Sequence, residues 1–255
     1  MGPKGQALWS TPAIVGVSFA FQHALYRSIL FACDKYEVEL PKPTDELCTA
    51  DDCVRYDIFA FSIVSLVAFL GCSVGSFLAS PATQTPAQRL FAVDPYVRWL
   101  TAWNVAYQVW DFYISLSISE FCTPIMMTHH VVAGTIATLV LYGQCAGYYP
   151  LLYFGFSEVS SIFLVGLDAA KNFPSENPTF RFISQDISGP MFAILFTYYR
   201  VWRWWIVTEQ LRKDVREFPK QWVPRLCWYV AYPMGCLQLY WWGLILKEVY
   251  ATIAG

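Results

Sequence analysis

The chain has 255 residues, 56% of them hydrophobic and only 14% charged, with a formal net charge of −2 and a mean hydropathy of +0.38. Soluble globular domains carry roughly 25% charged residues, so this composition excludes a soluble fold and describes a polytopic membrane protein. The near-neutral balance implies no nucleic-acid partner, and the eight cysteines show no C-x-x-C pair or metal-ligand spacing, so no metal or resident cofactor is expected.

A membrane-spanning helix needs about 20 apolar residues. The chain offers about seven such stretches, which makes it an all-α helical bundle. The first runs from Thr11 to Cys33 and carries His23 and Arg27. No small-residue cleavage site follows it, so it reads as a retained helix and not a signal peptide. An acidic loop from Asp34 to Asp57 comes next. Cys48 and Cys53 are candidates for a disulfide there, with Cys33 as a third thiol nearby. The second span runs from Ile58 to Ala79, and its Gly71/Gly75 spacing permits close helix contact. Residues 80–97, with Pro81, Pro86 and Pro95, read as a connector.

The third span covers Arg98 to Ile118 and the fourth Pro124 to Gly143. The link between them, Ser119 to Thr123, is so short that the two must be antiparallel neighbours. The fifth runs from Tyr148 to Leu167. A polar stretch with Pro174 and Pro178 separates it from the sixth, Ile187 to Thr208. A basic loop then carries Arg212, Lys213, Arg216, Lys220 and Arg225 before the seventh span, Leu226 to Glu248. Lys and Arg favour cytoplasmic loops. This loop, Arg89 and Arg98 all fall on the side of the N-terminus, which is therefore expected in the cytosol.

Ionisable side chains inside apolar spans are costly and mark functional sites or buried polar networks. Asp111 lies about seven residues before the end of span three, and His129 and His130 about six after the start of span four. With a rise of 1.5 Å per residue, all three sit roughly 10 Å below the same membrane face. Asp111 can then orient a histidine as a general base. Consecutive helix residues point about 100° apart, so only one of the two histidines is expected to face the site squarely. Glu158 in span five, beside Ser160 and Ser161, and Arg200 in span six are expected to pair. The plainer alternatives are a structural ion pair for Glu158 and Arg200, and helix-to-helix hydrogen bonds for the histidines.

The order of these elements resembles the TLC-domain family, which includes ceramide synthases, the translocating-chain-associated membrane protein and smaller lipid-related proteins. The matching residues are Ala106-Tyr107-Gln108-Val109-Trp110-Asp111, His129-His130, Glu158-Val159-Ser160-Ser161-Ile162-Phe163, and Gly189 with Arg200. The resemblance covers about residues 55–250 and is nearest to the smaller members. It implies a first helix and acidic loop over 1–54, a six-helix TLC domain over 55–250 and a short tail over 251–255. It also implies an endoplasmic-reticulum or related membrane and a role in lipid metabolism or homeostasis.

If the protein is an enzyme, the resemblance implies acyl transfer from an acyl-CoA to a lipid amine or lysolipid. His129 or His130 would be the base or transient acyl acceptor and Asp111 its orienter. Glu158, Arg200, Ser160 and Ser161 would shape the substrate site. Two departures weigh against ceramide synthesis. No histidine follows His130, whereas ceramide synthases carry a further His-Asp element, and Ile162 and Val165 replace the Pro and Asn of the small members. The alternative is a non-catalytic protein that binds lipid, regulates membrane composition or moves cargo. A helix-mediated homo-oligomer is compatible with either reading.

Overall fold

The computed structural model describes residues 10–40, 55–145 and 147–254. Cys48 and Cys53, with most of the acidic loop, lie outside these residues. Every regular element described is helical: α1 Ser10–Lys35, α2 Tyr56–Leu78, α3 Pro86–Phe91, α4 Pro95–Ser115, α5 Pro124–Gly143, α6 Glu158–Asn172, α7 Pro178–Arg181, α8 Ser188–Leu195, α9 Trp204–Glu217 and α10 Trp222–Ala254. Three segments with wider, i→i+5 turns precede α6, α8 and α9, at Leu151–Phe156, Phe182–Ile187 and Phe196–Arg203.

Four helical stretches are long and apolar enough to cross a membrane: Thr11–Lys35, Tyr56–Leu78, Pro124–Gly143 and Leu151–Asn172. The other expected spans are present as α4, the continuous run from α8 through α9, and α10. Their average hydropathy is lowered by inward-facing polar side chains or by Trp and Tyr.

Several helices start by one device. A side-chain acceptor is followed by a proline at the first helical position, where its fixed φ and missing N–H cost nothing. Asp94 accepts from the amides of Tyr96 and Val97 ahead of Pro95, and Thr123 accepts from Met126 ahead of Pro124. Asn177 does the same before Pro178, and Thr85 and Gln88 form a reciprocal capping box around Pro86. The connector 80–97 is therefore not plain loop: Pro86 opens the short helix α3. At the other end of α5, Gln144 turns left-handed (φ 47°) and stops the helix.

The helices alternate direction and define two faces. On the proximal face, with the start of α1, Arg98 bonds Thr11, and the amide of Ser80 donates to Asp94. The amide of Tyr148 donates to the carbonyl of Arg89 there at 2.9 Å. On the distal face Tyr56 donates to the carbonyl of Val38, and Arg55 pairs with Glu120. Packing between α2 and α4 is close at the small residues. A Cβ on Gly71 would stand 2.7 Å from Trp103 Nε1, and one on Gly75 2.9 Å from Leu100 Cβ. Trp103 also donates its indole N–H to the carbonyl of Ala68 at 3.0 Å, satisfying its polar atom inside the apolar contact. Elsewhere Phe31, Phe77, Val109, Tyr113 and Trp202 are exposed on the outer surface, as lipid-facing side chains are.

Candidate functional site

Asn104, Gln108, Asp111 and Ser115 recur at helical spacing along α4, and all four are buried. They form a polar stripe on a helix whose other faces are apolar. Ser115 donates to Asp111 Oδ1 at 2.8 Å. Beside the stripe runs α5, the antiparallel neighbour required by the short 119–123 link. His130 projects from it into the gap between Gln108 and Asp111. Its Nδ1 lies 2.8 Å from Gln108 Oε1, and its Nε2 lies 3.3 Å from Asp111 Oδ1.

This clamp has a chemical consequence. A neutral imidazole donates from one nitrogen and accepts at the other. If both nitrogens donate, His130 is a cation between Gln108 and Asp111. If Gln108 turns its NH2 group inward, His130 is neutral and donates only to Asp111. In both states Gln108 occupies Nδ1, while Nε2 faces the Asp111 carboxylate at 3.3 Å.

His129 differs. It makes no hydrogen bond to the described residues, and its Nδ1 is buried without a partner. Its ring contacts are edge-on, with His130 at 5.4 Å and Trp241 of α10 at 5.6 Å between centroids. Asp111 therefore reaches the histidine beside the one whose nitrogens remain open.

Glu158 and Arg200 both emerge next to widened turns. Arg200 lies within Phe196–Arg203, and Glu158 opens α6 just after Leu151–Phe156. Such widened turns occur often at functional sites. Arg200 Nη2 bonds Glu158 Oε2 at 3.0 Å and the Ser161 hydroxyl at 2.7 Å. Its Nε donates to the Ser157 carbonyl and the Ser160 hydroxyl, each at 3.1 Å. None of these bonds uses Nη1. Ser161 also donates to Glu158 Oε2 at 2.7 Å, and Phe196 lies under the guanidinium at 5.7 Å. The paired charges and hydroxyls offset the cost of placing ions in an apolar bundle.

A cavity of about 460 Å³ joins these groups. Its lining includes Asp111, His129, His130, Glu158, Ser161 and Arg200, with Phe61, Phe69, Leu164, Phe192, Leu244 and other apolar side chains around them. Ser160 is not in the lining; its hydroxyl serves Arg200 instead. A smaller cavity of about 60 Å³ lies toward the proximal face, between Val132, Ile136, Tyr153 and Met234. Gln108, His129, Glu158 and Arg200 line both and form the partition between them. His23 takes no part: it stacks on Phe19 and meets the edge of Tyr113.

At the distal rim of the larger cavity, Glu120 is held by Arg55 at 2.6 and 3.0 Å. That bond keeps its carboxyl down at about 2. Beyond the proximal end, burial works to raise Asp214, but hydrogen bonds from Arg89, Tyr149 and Gln210 outweigh it and hold the carboxyl below its ordinary value.

Reasoning from the sequence missed Gln108, Ser115, Asp168 and Trp241 as lining residues. The spacing 104/108/111/115 was a readable signal for the first two, because polar residues at that period in an apolar helix share one face. Trp241 carried no such mark among so many interfacial aromatics.

A family model described as the TLC domain matches residues 56–247, most of the chain and all of the cavity lining. No curated protein and no solved structure matches.

Proposed function

Because the chain belongs to the TLC-domain family of integral membrane proteins, we propose that its larger cavity binds a membrane lipid and is the seat of acyl transfer from an acyl-CoA to a lipid amine or hydroxyl. The observation that carries this reading is a single cavity in which an uncommitted imidazole, His129, shares the lining with the Glu158–Arg200 pair. The apolar walls suit a hydrocarbon chain, and the few convergent polar groups suit its reacting end.

In this reading the lipid nitrogen or oxygen attacks the thioester carbonyl and forms the new C–N or C–O bond. His129 takes the proton lost by the nucleophile. The C–S bond then breaks, and His129 returns the proton to the departing thiolate. Arg200 faces the negative charge that gathers on the carbonyl oxygen, with Glu158, Ser160 and Ser161 fixing its position. Asp111 and Gln108 hold His130, which in turn packs against His129. The placement is an endoplasmic-reticulum or related membrane with the N-terminus in the cytosol, supported by the basic residues of the proximal face.

A second reading, lipid binding without turnover, is favoured by one feature. No carboxylate orients His129, whereas His130, the histidine beside Asp111, is hydrogen-bonded to Gln108 through Nδ1 and turns Nε2 to the carboxylate. One assay separates the two. Microsomes containing wild type or His129→Ala receive a panel of acyl-CoAs with lipid amines and lysolipids, and products are read by mass spectrometry. A product made by wild type and lost in the variant at equal protein level supports transfer. Equal product profiles discard it in favour of binding alone.

A further inference from the structure

We infer that the larger cavity is filled sideways, from the bilayer leaflet on the distal face, by the one hydrocarbon chain of a single-chain lipid that passes between Leu164 of α6, Phe192 of α8 and Leu244 of α10. This rests on the reading that the cavity takes a lipid, and adds which kind, from which leaflet and by which route.

Depth comes first. The lining draws on the distal ends of the helices: Ser115 at the end of α4, Met126 near the start of α5, Val165 and Asp168 late in α6, and Ile245 late in α10. The chamber therefore lies in the distal half of the bundle.

Its wall is thin on one side. Leu164 and Leu244 line the cavity and are 36% and 46% exposed. Past Gly243, where an added Cβ would meet nothing within 4 Å, α10 runs largely exposed. The groups at this gap are apolar and face hydrocarbon, so a chain crossing it leaves no polar group unsatisfied. The aqueous rim is built differently. There the 119–123 link is held by the Arg55–Glu120 pair and by Phe121 against Phe61, with ring centroids 4.5 Å apart. A lipid arriving from water would have to part that contact.

Volume decides the number of chains. A dry cavity of about 150 Å³ accommodates benzene, a six-carbon ring. About 460 Å³ is three times that, room to enclose one long chain and not two side by side, so in the transfer reading one reactant lodges its chain here and the other keeps its chain outside the cavity. With its chain toward the portal, such a lipid has its polar end at His129, Glu158 and Arg200.

The test uses purified full-length protein in lipid nanodiscs. A photoactivatable single-chain fatty acid, a lysophosphatidylcholine and a two-chain phosphatidylcholine carry the same diazirine chain, and cross-linked peptides are mapped. The inference expects both single-chain probes to label the α6 and α10 segments around Leu164 and Leu244, with the two-chain probe labelling the cavity far less. Leu244→Trp, which narrows the gap, should slow loading by about tenfold, an added barrier near 1.4 kcal/mol. Val109→Trp, exposed on α4 and away from the cavity, should load at the wild-type rate. Equal labelling by the two-chain probe overturns the inference. So does an unchanged loading rate in Leu244→Trp, or labelling confined to the Glu120–Phe121 link. Probes that load without any product in the transfer assay leave the route standing and remove only the catalytic reading. Absence of label from every probe removes both.

Discussion

Two of the protein's arginine–carboxylate pairs, both largely enclosed, put the same chemistry to opposite uses. Near the proximal face, Arg89 spends all of its nitrogens: Nε and Nη2 go to Asp214 at 2.7 and 2.6 Å, and Nη1 to the Thr83 carbonyl at 2.7 Å. Asp214 also accepts from Tyr149 and Gln210. This cluster ties the connector before α3, the 147–150 turn and α9 together, and neither charged partner lines either of the two cavities described. At the partition, Arg200 and Glu158 are similarly enclosed, with side chains 10% and 12% exposed. There, however, both charges line both cavities, and Nη1 stays outside the hydrogen-bond set. A saturated pair serves as a staple; a pair with spare capacity beside a void has the form the proposed ligand site requires.

The largest effects should come from breaking either pair from one side. Arg89→Ala strands the buried carboxylate of Asp214 and Arg200→Ala the largely enclosed one of Glu158, and each should cost about 3–5 kcal/mol, seen as a large fall in thermal midpoint in detergent. The comparison sharpens when both partners become apolar, because that removes the stranded charge. Arg89→Met with Asp214→Leu should recover most of the stability and keep lipid binding. Arg200→Met with Glu158→Leu should recover stability and lose bound lipid, measured by native mass spectrometry. Lipid retained in the second double variant would reduce Arg200–Glu158 to a second staple.

The two histidines extend the contrast one level down. His130→Ala leaves Gln108 and Asp111 facing an empty gap and should cost about 1–3 kcal/mol of stability. His129→Ala removes no hydrogen bond to the described residues and should cost less, while lowering transfer by about a hundredfold or more if His129 is the base. Thermal unfolding and the transfer assay read the two quantities separately. A stability loss in His129→Ala equal to that of His130→Ala would show that the open ring is only packing.

How much of this was legible follows from what each feature costs. Charges inside apolar spans are expensive, so Asp111, Glu158 and Arg200 stood out; depth paired Asp111 with the histidines and the cost of an isolated charge paired Glu158 with Arg200, and the structure places Asp111 3.3 Å from His130 and Glu158 3.0 Å from Arg200. Neutral Gln108 and Ser115 carry no such penalty and were overlooked despite their helical spacing. The same polar stripe keeps α4 out of the group of helices that hydropathy alone identifies as spans. The widened turns at Leu151–Phe156 and Phe196–Arg203 were not read from the sequence. They help set the direction of Glu158 and Arg200, so the pairing could be expected from the sequence but its geometry could not. The split between His129 and His130 also needed coordinates. A 100° difference in direction says that one faces Asp111, not which.

An exposed arginine–carboxylate pair, Arg55 with Glu120, gives the smallest effect and the sharpest limit on the comparison. It is bidentate and short, yet its side chains are 30% and 47% exposed. Water screens such a pair, so it should add about 0.5 kcal/mol or less. The sign with pH follows from the carboxyl. Glu120 is depressed to about 2 from its ordinary 4.5, so the folded state favours the charged form. Whatever stability the pair adds is fully present above pH 4.5 and fades as the pH falls toward 2. Glu120→Gln should therefore lower the thermal midpoint slightly at pH 6 and not at all near pH 2, and added salt should shrink the difference at pH 6. A loss at pH 6 as large as that of Arg200→Ala would mean that geometry alone, without burial or a cavity, sets the worth of these pairs, and the distinction between staple and ligand site would fail.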